Sequence, residues 1–398
     1  MLPLDDIRVL DLTHVFNGPY ATQALAFLGA EVIKIEPLPY GERARSIFPI
    51  PDTNKLSYPF VMLNSNKKGI TLNLKSKRGK ELFLGLIEQA DIVVENFTAG
   101  TMDKLALGYQ ELKKVNSRII YASSSGYGKT GPYSAYPAFD SIVQALSGVM
   151  STTGEPTGPP MKAGPPIMDI MGGIHFAAGI LAAIHQRDRT GEGLELETSL
   201  YESAIGPMAA QISAYYAQGG TYHRVGNRAP NGAFSPYNCY PALDGHVLLL
   251  TSDNERWKSL CTIMGRDDLA NEEKFATNRS RSQNADEVDD AVAAWTSKHA
   301  KHEIMRMCGE ADITCGAVQN VEEVLHDPHL RARGILKEID HPTAGKVTVL
   351  GAPWRLNDKQ LPNETPSPEL GQHNDLVFGQ LLGLTETDIN KLREDGII

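Results

Sequence analysis

The sequence predicts an α/β protein, with a doubly wound, Rossmann-like large domain and a smaller α+β domain. Three observations carry this expectation. Short β-rich runs alternate with amphipathic stretches through the first third, the pattern of βαβ units around a parallel sheet. The 398 residues exceed the ~100–200 that one ordinary core accommodates, so two or three folded units are expected. From Gly219 onward a Gly/Asn/Pro-rich stretch (GGTYHRVGNRAPNGAFSP) precedes a new set of helical patterns, which marks a change of domain.

In chain order, residues 7–12 (IRVLDL) and 31–36 (EVIKIE) read as strands around a helix opened by Asn17-Gly18-Pro19, with proline in the first turn. Ile70, Leu72 and Leu74 alternate with Thr71 and Asn73 as a third strand does. Ser76 then caps a helix whose Leu82, Phe83, Leu86 and Ile87 share one face. Residues 91–95 (DIVVE) and 118–123 (RIIYAS) supply two further strands. Glycine, proline and serine accumulate between Ser124 and Pro166, and loops of that length in a compact domain usually carry function. An apolar helix over about 172–185, a strand at 194–198 and a helix ending near Gln218 complete this stretch. Beyond it come a hairpin turning at Asp244-Gly245, three helical patterns between Asn254 and Ala311, a strand over 345–354 and a Thr-capped helix over 385–394. The expected boundaries are 1–218 for the large domain, 219–235 for a linker, 226–325 for the small domain and 326–398 for a return segment that completes the large one.

Composition narrows the function classes. Hydrophobic residues at 41% and charged residues at 22% are globular values. The formal charge of −10 is opposite to that of a nucleic-acid binder, so no nucleic-acid partner is expected. The acidic start MLPLDDIRVLDL does not have the form of a signal peptide. The apolar run 170–184 contains His175 and falls short of the ~18–20 residues that cross a bilayer, so a cytoplasmic protein with no membrane partner is expected. Cys239, Cys261, Cys308 and Cys315 form neither CxxC pairs nor a zinc pattern. They are expected to be reduced, half-buried fillers, with no metal site.

The βαβ unit ending in Glu36 has the outline of a dinucleotide site, but DLTHVFNGP lacks the GxGxxG turn that lets a backbone approach a pyrophosphate. Walker-A, HExxH, GxSxG and kinase signatures are absent too. Lys67, Lys68, Lys75, Lys77, Arg78 and Lys80 occur without an intervening acid, which suits either a solvated turn or a phosphorylated ligand. Asn96 and Phe97 follow Glu95 at a strand C-terminus, the edge where open α/β sheets bind ligands. Asp169 is the one acid between Pro156 and Ala182, just before Gly172-Gly173. It reads either as a simple helix N-terminal acid, or as an ionised nucleophile with backbone N–H groups near for an oxyanion.

Taken in order, the segments VLDLTHVFNGPYATQALAFLGAEVIKIE, NSNKKGITLNLKSKRGKEL, VVENF, SSSGYGKTGPY, PAFDSIVQALSG, RTGEGLELETSLYESA, YPALDGHVLLL and the ending LGQH…LLGL…LREDGI resemble the family III CoA-transferases, the group of formyl-CoA, carnitine and benzylsuccinate CoA-transferases. The resemblance runs nearly end to end. It implies that Asp169 is a nucleophile that forms an aspartyl-acyl anhydride and then an aspartyl-CoA thioester. Coenzyme A or acyl-CoA would be a substrate, with no permanently bound cofactor. By position it implies CoA contacts at Val15, Phe16, Asn17, Leu72, Lys75, Asn96 and Phe97, with a basic position at Lys104. The family's arginine beside adenine is replaced here by Pro37 and Leu38, with Arg43 and Arg45 only later. The glycine-rich lid of formyl-CoA transferases has no counterpart near 249–257, which points away from formyl or oxalate substrates. A sister branch racemises α-methylacyl-CoA with a His-Asp pair. Here that place reads Phe139-Asp140, and phenylalanine moves no proton, which leaves Asp140 to orient groups near Asp169 or to cap a loop.

The function implied is transfer of CoA from a donor such as succinyl-CoA to a small organic acid. The rivals are the racemase, an intramolecular transferase acting on one dicarboxylate, and a non-catalytic CoA-binding protein. The family also implies a homodimer of interlocked rings. Val347, Val349, Leu350, Trp354, Leu381, Leu382 and Leu384 in the return segment are expected to need a covering surface.

Overall fold

The structure, a computed structural model, describes residues 1–53, 56–363 and 365–398, with the side chain of Asn231 excepted. Six parallel strands form its main sheet: β1 (Arg8–Asp11), β2 (Glu31–Glu36), β3 (Lys67–Thr71), β4 (Ile92–Glu95), β5 (Ile120–Ser125) and β6 (Glu195–Ser199). Their order is β3-β2-β1-β4-β5-β6, so the winding direction reverses between β1 and β4. Open α/β sheets bind ligands at that reversal, beyond the carboxyl ends of the strands.

Alternation along each strand builds a core on both faces. Val9, Val32, Ile92, Val94, Ile120 and Ala122 face the Asn17–Phe27 and Ile167–Thr190 helices. Leu10, Ile33, Ile70, Val93 and Tyr121 face the Lys77–Glu88 helix and the two C-terminal helices, Asn374–Leu382 and Glu386–Glu394. β3 begins earlier than the alternation of Ile70, Leu72 and Leu74 suggests, because Lys67 pairs with Val32 of β2 and the strand ends at Thr71.

The Ile167–Thr190 helix spans 24 residues instead of 172–185, long and apolar enough to cross a membrane by length and composition. Here its Gly172, Gly173, Phe176, Ala177 and Ile180 are buried, and the last three belong to the core over the sheet.

The chain divides into two compact units, Met1–Ser147 with Ala163–Pro207 and Pro328–Ile398, and Gly148–Lys162 with Met208–Asp327. The sequence alone places 148–162 with the large domain. In the structure Arg224 draws this segment to the second unit, donating to the carbonyls of Glu155 (2.8 Å) and Gly158. That unit holds an antiparallel sheet of β7 (Tyr237–Ala242), β8 (Gly245–Leu250) and β9 (Thr314–Ala317). Five helices, where three patterns were read, pack around Trp257, Val288, Val292, Trp295 and Ile304. All four cysteines are free, and two of them, Cys261 and Cys308, are fully buried in this core instead of half-buried.

In the return segment, β10 (Leu336–His341) and β11 (Gly345–Leu350) form a hairpin. Val347 and Val349 pack with Phe60 and Val61, while Leu381, Leu382 and Leu384 pack on the core around Phe83 and Phe378. The surface that Val347, Val349, Leu381, Leu382 and Leu384 need is therefore supplied by their own chain, whereas Trp354 stays 40% exposed.

Candidate active site

A cleft of about 500 Å³ opens at the reversal of the sheet. Its walls are the segment after β1 (His14, Val15, Phe16, Asn17), the segment after β4 (Asn96, Phe97, Thr98, Ala99), the end of β5 (Ser124, Ser125, Gly126), the loop from Ser134 to Phe139, and Asp169.

The segment after β1 is held in an unusual conformation. Val15, a β-branched residue, has φ 69°, a left-handed value that such side chains rarely adopt and that persists only where surrounding contacts impose it. Those contacts are present. The Val15 N–H donates to Glu42 Oε2 (3.1 Å), the His14 N–H donates to Asn96 Oδ1 (2.7 Å), and Asn96 Nδ2 donates to the His14 carbonyl (2.9 Å).

Beneath lies a buried charge network. Asp11 accepts from Lys67 Nζ (3.0 Å), Thr22 Oγ1 (2.7 Å) and Thr13 Oγ1 (2.5 Å), and Lys34 Nζ donates to the Thr13 carbonyl. Burial alone would raise the Asp11 carboxyl, but Lys34, Lys67 and the two hydroxyls outweigh it and hold it well below the usual carboxylate range. Glu36, the would-be ribose acid, instead accepts a two-pronged contact from Arg45, at 2.7 Å on each oxygen. Arg45 in turn lies 3.6 Å over the Phe60 ring.

Asp169 sits in the first turn of the Ile167–Thr190 helix. Asp140 caps that helix, its Oδ2 accepting from the N–H groups of Met168 (2.6 Å) and Asp169 (3.2 Å), while Gln144 Nε2 holds its Oδ1 (2.5 Å). The Met168 and Asp169 amides are thus already engaged, which corrects the expectation that amides here stand open for an oxyanion. Asn17 Nδ2 donates to the Asp169 carbonyl (3.2 Å). The approach is close because Gly172 and Gly173 carry no side chain: a Cβ on either would lie 2.5 Å from Asn17 Nδ2 or 2.7 Å from the Asn17 carbonyl oxygen. Among the described residues, the Asp169 carboxyl has no hydrogen-bond or ion-pair partner. Burial, then the like charge of Asp140, pushes it up to about 7, against the expectation that the helix terminus keeps it firmly ionised.

Of the residues picked from sequence, Val15, Phe16, Asn17, Asn96, Phe97 and Asp169 come together in the cleft. Asp140 stands behind Asp169 as a helix cap. Leu72 does not line the cleft, since its side chain is 2% exposed in the core. Lys75 and Lys104 are exposed and lie outside the cleft wall. The basic run is partly consumed by structure, with Lys67 on Asp11 and Lys68 on Glu31.

The two basic residues of the cleft wall, His14 and Arg43, are not among the site residues expected from sequence. The His14 ring packs edge-on against Phe97, with centroids 5.2 Å apart, and burial together with Lys34 and Arg43 lowers it to about 4, so it is neutral at pH 7. The guanidinium of Arg43 lies 6.0 Å over the Phe139 ring. Among the described residues, no three His, Cys, Asp or Glu side chains gather as metal ligands.

The comparisons with known proteins converge. Residues 4–374 match the CoA-transferase family III. The chain is 35% identical to a formyl-CoA:oxalate CoA-transferase of Streptomyces coelicolor, with 99% of both chains covered. It is 37% identical to a succinyl-CoA:mesaconate CoA-transferase of Haloarcula marismortui, over 98% of this chain and 99% of that one. The crystal structure of a CaiB/BaiF family protein from Brucella suis superposes with a TM-score of 0.86 at 32% identity, over 96% of this chain and 99% of that one. A six-stranded parallel sheet with a ligand-sized cleft at its reversal, matched along nearly its whole length in sequence and in shape, makes this chain a member of CoA-transferase family III.

Proposed function

We propose that this enzyme moves CoA between carboxylic acids through covalent intermediates on Asp169. The observation that carries the reading is that, among the described residues, Asp169 is the single carboxyl lining the cleft, without a counter-ion and with raised basicity. Its carboxylate attacks the thioester carbonyl, breaking the C–S bond to give an aspartyl-acyl anhydride and CoA thiolate. The thiolate then attacks the aspartyl carbonyl, releasing the first acid and leaving an aspartyl-CoA thioester. An acceptor carboxylate attacks that thioester, and the two steps run in reverse. No electrons are transferred, and each intermediate, anhydride or thioester, conserves the activation of the starting thioester.

Val15, Phe16, Asn17, Asn96 and Phe97 line the cleft and suit the thioester arm of CoA. The exposed Lys75 and Lys104 suit its phosphates. Leu72 has only its main-chain carbonyl to offer CoA, since its side chain is buried and its N–H donates to the Glu36 carbonyl. Succinyl-CoA is the donor we favour, on the strength of the Haloarcula marismortui relative, and a small organic acid is the acceptor. The S. coelicolor relative's name keeps formyl and oxalate in any substrate panel. The test is to incubate enzyme with succinyl-CoA and quench with hydroxylamine. A hydroxamate on Asp169 supports the route, and full activity in Asp169→Ala would sink it.

Racemase chemistry is disfavoured because Phe139 stands where a proton carrier is needed. Deuterium wash-in at the α-carbon of a 2-methylacyl-CoA, as fast as turnover, would reverse that order. The enzyme acts as a cytoplasmic homodimer of interlocked rings. Ile142, Leu146, Ile174, Leu181 and Ile205, each 38–47% exposed in the first unit, support a partner surface. Native mass spectrometry of mixed labelled and unlabelled protein checks this, since linked rings do not exchange subunits within minutes.

A further inference from the structure

Among the described residues, the cleft wall carries one permanent cation. Its basic residues are His14 and Arg43, and His14 is neutral at pH 7. Arg43 is exposed, yet its neighbours Glu42, Ala44 and Arg45 are each 0–3% exposed. Glu42 Oε2 accepts from the Ala44 N–H at 2.7 Å, the Ala44 carbonyl accepts from Ser57 Oγ at 2.6 Å, and Arg45 is locked on Glu36. Arg43 is thus the outward residue of a pinned turn, with its backbone preorganised. Among the described residues, its guanidinium has no ion-pair partner, only the Phe139 ring. Phe139 precedes Asp140, which accepts from the Asp169 N–H, so the cation stands in the same cleft as the candidate nucleophile.

We propose that Arg43 receives the distal carboxylate of the substrate, so that the acids this enzyme exchanges are dicarboxylic acids of succinate's class. This rests on the Asp169 chemistry proposed above. A distal carboxylate entering a cleft walled by Phe16, Phe97, Pro137 and Phe139 loses hydration, and a planar guanidinium replaces it with two parallel hydrogen bonds. A CoA phosphate is the other anion that Arg43 could meet, and the experiment separates the two.

KM is measured for succinyl-CoA and for butyryl-CoA, which has the same chain length without the carboxylate, in wild type, Arg43→Ala and Arg43→Lys. The Kd of free CoA is measured alongside. The expected result is a rise of roughly tenfold to a hundredfold in the succinyl-to-butyryl KM ratio for Arg43→Ala, with an intermediate ratio for Arg43→Lys, which keeps charge but not the fork. An unchanged ratio overturns the inference; if the Kd of free CoA rises with it, Arg43 belongs to the phosphates. A wild type that handles butyryl-CoA as well as succinyl-CoA overturns it while leaving the Asp169 route intact. A wild type that traps neither acyl group on Asp169 overturns the route and this inference with it.

Discussion

Two carboxylates near the same end of the sheet meet opposite fates. Asp11 is fully buried, yet Lys34, Lys67, Thr13 and Thr22 surround it and keep it ionised. Asp169 is only partly buried, but among the described residues no cation pairs with it, so burial and then the like charge of Asp140 hold its proton up to about pH 7. The difference lies in where the cations point. The buried lysines secure the strained segment that shapes the cleft, and the cleft carboxyl is left without a counter-ion, which preserves its basicity. A structural carboxylate and a reactive one are thus told apart by partners, since burial alone would raise both.

The largest effect that would test this contrast is at the reactive end. Asp169→Asn should lower turnover by roughly 10⁴ or more while free CoA still binds, as isothermal titration would show. A loss under tenfold would erase the distinction. At the structural end, Lys67→Met should leave Asp11 with Lys34 as its one counter-ion and cost up to about 3–5 kcal/mol in urea unfolding, the range for breaking a buried pair. A cost below 1 kcal/mol would mean that the network is dispensable. Gly173→Ala sharpens the link between the two ends, because its Cβ would meet the Asn17 carbonyl oxygen at 2.7 Å. About 1–3 kcal/mol should be lost, with KM for acyl-CoA raised as Asn17 shifts. The smallest effect is a pH shift. Because the Asp169 carboxyl is raised, its nucleophilic form is lost as pH falls through about 7, so kcat/KM should decline on that side. Asp140→Asn removes the like charge while its remaining amide oxygen can still cap the helix, so the acid limb should move to lower pH. A stationary limb would assign the shift to burial alone.

The sheet was legible because its strands are bounded by local signals. EVIKIE is β2 residue for residue, and Ser76 caps the helix that follows β3 by accepting from the Gly79 N–H at 2.9 Å. β5 starts two residues later than read, since Asn116 Oδ1 captures the Arg118 N–H in a turn. A rule about strand ends marks Asn96 and Phe97, and isolation among apolar residues marks Asp169, but the roles expected of them come from the family resemblance and not from these local signals. Lys67 could not be told from Lys75 by its place in a basic run, because the partner that takes it inside, Asp11, is 56 residues away. His14 and Arg43 likewise become neighbours only when β1 and β2 pair and the turn after Glu36 folds back through Glu42 and Arg45. Charge placement across the sheet is a long-range property that no window of sequence displays.

The return of the chain to its first sheet has a consequence for synthesis. The Asn73 N–H donates to the carbonyl of Ile397, and Asn374 bonds the Thr71 N–H at the end of β3. One face of β3 therefore has only part of its cover, from the Lys77–Glu88 helix, while some 300 residues are still being translated, with Ile70 and Leu72 lacking the Val377 and Phe378 that complete their cluster. Closing a loop of that length is slow compared with local pairing, so the nascent chain carries an open apolar flank until its last helices emerge. The final tenth of the message thus governs when the strand at 67–71 gains its full cover.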